Sequence, residues 1–336
     1  MSSPTLPQHD PSPEARRQQV ATQESGVPVT YDRFTGLAFA PVVPSTDRPA
    51  AAWLATVAEI LVQIGLNAAA VDQRLSNLHP EHPEHHAVLE LIHDAEKGGV
   101  HAAFDFLTGL VQGSDDDEPA SSLADYEALF QRIPLPACAA EVHDDLWFAR
   151  MRVAGPNPMS LRRVDRAPFA VSDAAVARTM ATYAARGIDV TGGTLDAAAA
   201  EGRLFVADYA ALSGAPGGAW GGRQKYLFGP TGLFATVGAT RTLVPVAIRA
   251  DGDPVGPADG LAWTRAKSIT TIADGNEHQA VIHLAHTHLV VEAMVLAARR
   301  SLAPWHPVAR LLAPHFEGTL YINDAADQKL AAPGGG

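Results

Sequence analysis

Apolar residues recur at helical spacing in several segments of the chain. In residues 49–65 they return every three or four positions, which predicts an amphipathic helix. Similar patterns predict helices at residues 85–97, 99–111 and 172–186. The longest predicted helix covers residues 263–300, where little in the sequence would stop a helix. Helices therefore account for most of the predicted structure.

Two further segments have the pattern of strands. Residues 204–209, LFVADY, form a short apolar run that predicts a buried strand. Between residues 226 and 249, two apolar runs predict strands joined by a glycine-containing turn. Aromatic residues make up only 7% of the chain and alanine is abundant, which favours helices over an all-β fold. We predict a mainly α fold with a small β element at residues 204–249.

Composition divides the chain into three parts. Residues 1–30 contain Ser, Pro, Gln and Glu without hydrophobic periodicity, and they are predicted to form a disordered tail. Residues 31–140 are predicted to form a helical N-terminal region whose role the sequence does not disclose. The sequence changes in character near residue 141, and residues 141–336 are predicted to form a further domain.

Charge and cysteine content exclude several classes of protein. The formal net charge is −12 and no cluster of Lys and Arg reverses it locally, so nucleic acid is not expected as a partner. The single cysteine, Cys138, excludes an intramolecular disulfide and a cysteine-rich zinc site. No apolar signal segment begins the chain and no uninterrupted run of about 18 apolar residues is present. We therefore expect a cytoplasmic protein without a transmembrane segment.

A cluster of histidines lies in the longest predicted helix. His278, His283 and His288 recur every five residues within HQAVIHLAHTH. Five residues of a regular α-helix turn the second side chain about 140° away from the first. A π-helix has about 4.4 residues per turn, and it would bring positions i and i+5 onto one face. The spacing therefore indicates a metal site only if the helix is widened here.

The spacing alone leaves other interpretations open. A histidine in a helix is more often a surface residue, or a core residue with one hydrogen-bond partner, than a metal ligand. His286 is three residues from His283 and would be an easier partner in a plain α-helix. A zinc hydrolase built on His283, His286 and His288 would lack the paired glutamate of an H-E-x-x-H motif.

The residues around the cluster resemble the lipoxygenase family, non-haem iron enzymes that dioxygenate polyunsaturated fatty acids. The similarity extends over residues 146–336 and keeps the family's order of motifs. The motifs are FARMRVAGPNPMSLRR (148–163), GGTLDAAAAEGRLFVADYAAL (192–212), TLVPVAIR (242–249), WTRAK (263–267), EHQAVIHLAHTHLVVE (277–292), WHP (305–307) and APHFEGTLYIN (313–323). The resemblance implies the helical catalytic domain of that family, with its small β element.

The resemblance also implies roles for individual residues. His283 and His288 match the two metal ligands on the family's long helix. His278 matches a histidine just outside those ligands, and Glu292 follows His288 at the family's spacing. The implied cofactor is non-haem iron, with manganese as the alternative metal. Iron suits nitrogen and oxygen ligands and changes its oxidation state, which zinc cannot do.

The implied substrates are a linoleate-like polyunsaturated fatty acid and O2. The implied reaction abstracts a bis-allylic hydrogen and inserts dioxygen. Ala326 matches a position where Ala or Gly correlates with product stereochemistry, although Asp327 replaces the family's usual arginine. Leu284 is a candidate for the lining of the acyl channel, although an apolar residue at helical spacing is more often part of the core.

Lipoxygenases complete their metal site with a third histidine, an asparagine-like residue and a C-terminal isoleucine carboxylate. His306 and His315 match family residues without a ligand role, and the sequence ends at Gly336. We therefore expect the N-terminal portion of such a catalytic domain, which would have a partner chain if it is truncated. The alternatives are a catalytically inactive lipoxygenase fragment and a protein that binds fatty acid or another chain.

Overall fold

The computed structural model describes residues 4–31, 36–48, 50–78, 123–220 and 223–327. The chain divides into two compact units. Unit 1 comprises Met1–Pro134 together with His283–Gly336, and unit 2 comprises Leu135–Ile282. Helices predominate and the sheets are small, which confirms the predicted mainly α fold class.

Unit 2 contains most of the β structure. Its helices are α4 (Asp145–Ala154), α5 (Asp173–Ala185), α6 (Leu195–Ala200) and α7 (Leu261–Glu277), numbered after three helices of unit 1. Its strands, numbered after two of unit 1, are β3 (Leu161–Arg163), β4 (Leu204–Asp208), β5 (Ala219–Trp220), β6 (Arg223–Gln224), β7 (Thr231–Val237) and β8 (Thr242–Arg249). β3, β4, β7 and β8 form one antiparallel sheet in that order. The predicted β element is confirmed, and it also includes β3.

Both faces of this sheet are buried. Side chains alternate between the two faces along a strand, so neighbouring residues of β7 pack into different clusters. Leu233 and Val237 pack with Met180 and Tyr183 of α5. Phe234 packs with Phe148 of α4 and lies in the same cluster as Trp263 of α7. Helices on both faces explain why the strands read as nearly continuous apolar runs.

Polar side chains cap the starts of α4 and α5 in unit 2. Ser172 accepts a hydrogen bond from the backbone N–H of Ala175 at 3.2 Å, as an N-cap residue does. Asp144 likewise accepts from the backbone N–H groups of Leu146 and Trp147 at the start of α4. The N-terminal limit of α5 was therefore readable from the sequence, because the cap is a local interaction.

Tyr183 ties α5 to the edge strand β8. Its hydroxyl donates to the backbone oxygen of Pro245 at 2.8 Å, and the side chain is fully buried. Burial raises the pKa of the phenol, so the hydroxyl stays protonated and can donate. We expect Tyr183→Phe to lower the free energy of unfolding by about 1 kcal/mol. Tyr226→Phe removes an exposed hydroxyl and should change little. Equal effects of the two variants in urea unfolding would contradict this role.

Unit 1 combines segments from both ends of the chain. Its helices are α1 (Pro13–Gly26), α2 (Ala51–Leu78), α3 (Leu123–Glu127), α8 (Val290–Ser301), α9 (Pro307–Leu312) and α10 (Thr319–Ala326). Its two short strands, β1 (Thr30–Tyr31) and β2 (Ala38–Phe39), pair antiparallel. Helix α2 is longer than the helix predicted at residues 49–65. The helices predicted at residues 85–97 and 99–111 lie outside the described residues.

Helix α1 lies where the sequence predicts a disordered tail. Gln23 donates from its side chain to the backbone oxygens of Arg299 and Leu302, at 2.6 and 3.1 Å. Arg300 donates to the backbone oxygen of Glu24 at 2.8 Å. These contacts join α1 to the end of α8. The helix thus depends on residues far along the chain, which local composition does not reveal.

The compact units of the structure divide the chain at positions other than the predicted domain limits. The division after Pro134 lies near the predicted limit at residue 140, but residues 283–336 belong to unit 1. The predicted single domain at residues 141–336 therefore differs from the compact units of the structure. Pairing of the N-terminal helix α1 with α8 accounts for the difference.

One continuous helix covers residues Leu261–Ser301, 41 residues in all. It consists of α7, a π-helix at His278–Leu289 and α8. Its most apolar window of 18 residues has a mean hydropathy of 1.6, and 17% of that window is buried. By length and composition alone this helix could cross a membrane, and the core helix of a soluble protein passes the same test, so the expectation of no transmembrane segment stays a prediction.

Candidate metal centre

The π-helix brings His283 and His288 together. It covers His278–Leu289, a stretch without proline or glycine, so residues five apart lie on one face. The two Nε2 atoms are 3.0 Å apart, and the ring centroids are 4.6 Å apart. His283 is exposed and His288 is half-buried. The widened helix that the five-residue spacing requires is thus confirmed, and the structure pairs His283 with His288 rather than with His286.

Asn323 on α10 contacts the other nitrogen of His288. Its Oδ1 lies 2.6 Å from His288 Nδ1, and its Nδ2 donates to the backbone oxygen of His288 at 3.0 Å. Nδ2 also donates to Glu292 Oε2 at 2.7 Å, and Glu292 Oε1 accepts from the backbone N–H of Ala40 at 2.9 Å. Asn323 and Glu292 are 6% and 5% exposed, so this network is shielded from water. Within unit 1, this network therefore holds the ring of His288 in place.

The sequence did not single out Asn323 or Ala40. Asn323 ends the motif APHFEGTLYIN, so the resemblance included it without giving it a role. Ala40 has no reactive side chain and contributes through its backbone, which no residue pattern can reveal. Glu292 was identified by its spacing from His288, and its predicted place beside the metal ligands stays a prediction.

The histidine pair fits a non-haem metal ion. Two metal–nitrogen bonds of about 2.1 Å at a right angle would hold the nitrogens about 3.0 Å apart. The observed Nε2–Nε2 distance of 3.0 Å agrees with that requirement. Within the residues that the structure describes, no group of three or more His, Cys, Asp or Glu forms a metal site. The described chain thus places two imidazoles at a spacing that suits a metal ion, and a network orients one of them.

The remaining predicted residues are placed as follows. His278 begins the π-helix and is half-buried, in unit 2. Leu284 follows His283 and is half-buried, and Ala326 is half-buried at the end of α10. His278 is predicted to lie beside the metal ligands, and Leu284 and Ala326 are predicted to contact the substrate. These roles stay predictions.

Two buried networks join the upstream motifs within unit 2. In the first, Asp145 accepts from Trp263 Nε1 and Lys267 Nζ at 2.8 and 2.7 Å. This contact explains the tryptophan and lysine of the WTRAK motif, because α4 supplies the carboxylate that pairs with both. The motif therefore anchors α7 on α4.

The second network centres on Asp274. It accepts from the hydroxyl of Tyr209 at 2.5 Å and from Asn157 Nδ2 at 3.2 Å. Burial raises the pKa of the Tyr209 phenol, so Tyr209 acts as the donor. Asn157 comes from the GPNP segment and Tyr209 from the LFVADY segment, so these motifs serve the packing of α7 in unit 2.

Comparisons with known proteins relate the chain to lipoxygenases. Residues 253–336 match the family model described as Lipoxygenase. The linoleate 9/13-lipoxygenase of Pseudomonas aeruginosa is 34% identical, over 99% of this chain and 55% of that protein. The rat polyunsaturated fatty acid lipoxygenase ALOX15B is 32% identical, over 63% of this chain and 32% of its own length.

Solved structures show the same fold. A coral 8R-lipoxygenase superposes with a TM-score of 0.69 at 23% identity, covering 99% of this chain and 45% of that structure. A manganese lipoxygenase superposes with a TM-score of 0.68 at 20% identity, covering 99% of this chain and 53% of that structure. The chain thus spans about half the length of the relatives it matches.

The fold and the paired histidines define a lipoxygenase-type helical domain with a small antiparallel sheet. The chain belongs to the lipoxygenase family. Family membership implies a non-haem metal centre, and His283 and His288 are the residues described here that would hold it.

Proposed function

We propose that this chain takes part in lipoxygenase-type dioxygenation of linoleate-like polyunsaturated fatty acids at a non-haem iron centre, with manganese as the alternative metal. The observation that carries the proposal is the pairing of His283 and His288 Nε2 atoms 3.0 Å apart on a π-helix. The names of the relatives support the substrate, since one acts on linoleate and others on polyunsaturated fatty acids. The manganese lipoxygenase supports the alternative metal.

The residues of the chain have separate tasks in this proposal. His283 and His288 hold the metal, and the network of Asn323 and Glu292 keeps the ring of His288 in place. When bound, the metal supplies the one-electron redox chemistry that activates a bis-allylic C–H bond toward O2. Leu284 lines the acyl channel beside His283, and Ala326 limits the space that decides the stereochemistry of the product.

Linoleate and oleate provide a matched test of this function. Linoleate has a methylene between two double bonds, whereas oleate has the same length, one double bond and no such methylene. We expect the purified chain with added Fe2+ to consume O2 with linoleate and to form a conjugated diene, detected by ultraviolet absorbance. Oleate should give neither signal, because its C–H bonds are not doubly allylic.

Two other outcomes would contradict the proposal. If the folded, metal-loaded chain oxidises neither fatty acid, it is an inactive lipoxygenase relative or a protein that only binds fatty acid. Binding of linoleate without O2 consumption, measured by calorimetry, would favour the second of these. Equal oxidation of both fatty acids would indicate unspecific metal-driven peroxidation.

A further inference from the structure

The hydrogen bonds of Asn323 fix the orientation of its amide. The atom assigned as Nδ2 faces a carboxylate oxygen of Glu292 at 2.7 Å and the backbone oxygen of His288 at 3.0 Å. Both of these groups act as acceptors here, so the amide group between them must be the NH2. A flipped amide would place an oxygen against two oxygens. The atom of Asn323 that faces His288 is therefore its carbonyl oxygen.

This orientation determines which nitrogen of His288 carries the proton. Asn323 Oδ1 can only accept, and it lies 2.6 Å from His288 Nδ1. Neutral His288 must therefore carry its hydrogen on Nδ1, which leaves the lone pair on Nε2. His288 Nε2 faces His283, and its lone pair would bind a metal ion.

We propose that Asn323 is a positioning residue that holds His288 in its metal-binding tautomer, with the lone pair on Nε2. The proposal rests on the proposed function, because it assigns how one of the two ligands of that site is made ready for the metal. Glu292 supports Asn323 with one carboxylate oxygen, and its other oxygen accepts from the backbone of Ala40. Burial of both side chains keeps water from replacing these bonds.

The tautomers can be read without any metal or substrate. Long-range 1H–15N correlation spectra of histidine-labelled, metal-free protein, at a pH where the imidazoles are neutral, distinguish Nδ1–H from Nε2–H. We expect His288 to show Nδ1–H, both without metal and after addition of the diamagnetic ion Zn2+. Nε2–H at His288 in the wild-type protein would overturn the proposal.

Substitutions of Asn323 separate positioning from general stability. Asn323→Leu removes the acceptor, so His288 should shift toward Nε2–H and Co2+ affinity should fall about 10–100-fold. Asn276→Leu, on exposed helix surface, is the matched control and should keep both properties. If His288 keeps the wild-type tautomer in Asn323→Leu, Asn323 does not set it.

A double substitution covers the case in which Asn323→Leu fails to fold. Glu292→Gln with Asn323→Asp reverses the direction of the bond between the two side chains and keeps an acceptor toward His288 Nδ1, but it gives up the bond from residue 323 to the backbone oxygen of His288. It should retain the wild-type tautomer, whereas loss of that tautomer would contradict the proposal. Failure of the proposed function is distinguishable: the tautomers would be as expected, but linoleate would not be oxidised.

Discussion

Replacing His288 with alanine should lower the affinity of the chain for Fe2+ or Co2+ by more than about 100-fold. Changes to groups that only orient a metal ligand already cost about 10–100-fold. His288 provides one of the two Nε2 atoms of the pair and is held by Asn323, so its loss leaves His283 alone on the π-helix. Linoleate-dependent diene formation should be lost together with metal binding.

His286→Ala is the matched control for this prediction. His286 lies two residues from His288 on the same π-helix and is exposed. His286→Ala removes an imidazole from the same helix, but this imidazole is not part of the histidine pair. Metal affinity and diene formation should therefore stay within about twofold of the wild type. Calorimetric titration with Co2+ and the linoleate assay together check both variants. Equal losses in both variants, or full metal binding by His288→Ala, would show that the paired histidines are not the site.

The sequence was sufficient to find the histidines but not the geometry that makes them a pair. The spacing of His283 and His288 indicates a shared face only in a π-helix, and it does not say whether the helix widens. His286 remained a competing partner until the backbone was known. The π-helix at His278–Leu289 decides between them, because it brings together residues five apart.

The network behind His288 could not be predicted from local patterns. Asn323 lies 35 residues from His288 in the sequence, and Ala40 lies 252 residues from Glu292. Both contacts exist because α10 and the segment after β2 pack against α8 in unit 1. Such pairings follow from tertiary structure. Neither a short helix nor a backbone N–H has a sequence pattern that would reveal its partner.

Helix α1 shows the same limit in the fold. Residues 13–26 are polar and have no apolar stripe, so composition indicates a disordered tail. Arg16 nevertheless pairs with Asp10, and Asp10 accepts from Trp305 Nε1 at 3.0 Å. By contrast, β4, β7 and β8 of unit 2 were predictable because both faces of the sheet are buried, which leaves apolar runs in the sequence.

Replacing Asp145 with alanine should destabilise unit 2 by about 3–5 kcal/mol, the cost of breaking a buried ion pair from one side. Asp145 accepts from Lys267 Nζ and Trp263 Nε1, and Arg186 lies 3.5 Å from its other oxygen. The side chains of Asp145 and Lys267 are only 11% and 9% exposed. Without the carboxylate, the ammonium of Lys267 would keep the backbone oxygen of His143, at 2.5 Å, and the face of the Trp263 ring, whose centroid lies 5.8 Å away. Neither partner replaces the negative charge of the carboxylate.

Two further variants test whether the buried charge is the cause. Asp173 lies in the first turn of α5, as Asp145 does in α4, but it is exposed. Asp173→Ala should lower the free energy of unfolding by less than about 1 kcal/mol. Asp145→Asn combined with Lys267→Met removes both charges, and the asparagine oxygen would still accept from Trp263. This pair should recover at least about 2 kcal/mol of the loss, measured by urea unfolding with near-ultraviolet circular dichroism. If it is no more stable than Asp145→Ala, the loss comes from packing of α4 against α7, and the unpaired ammonium is not responsible.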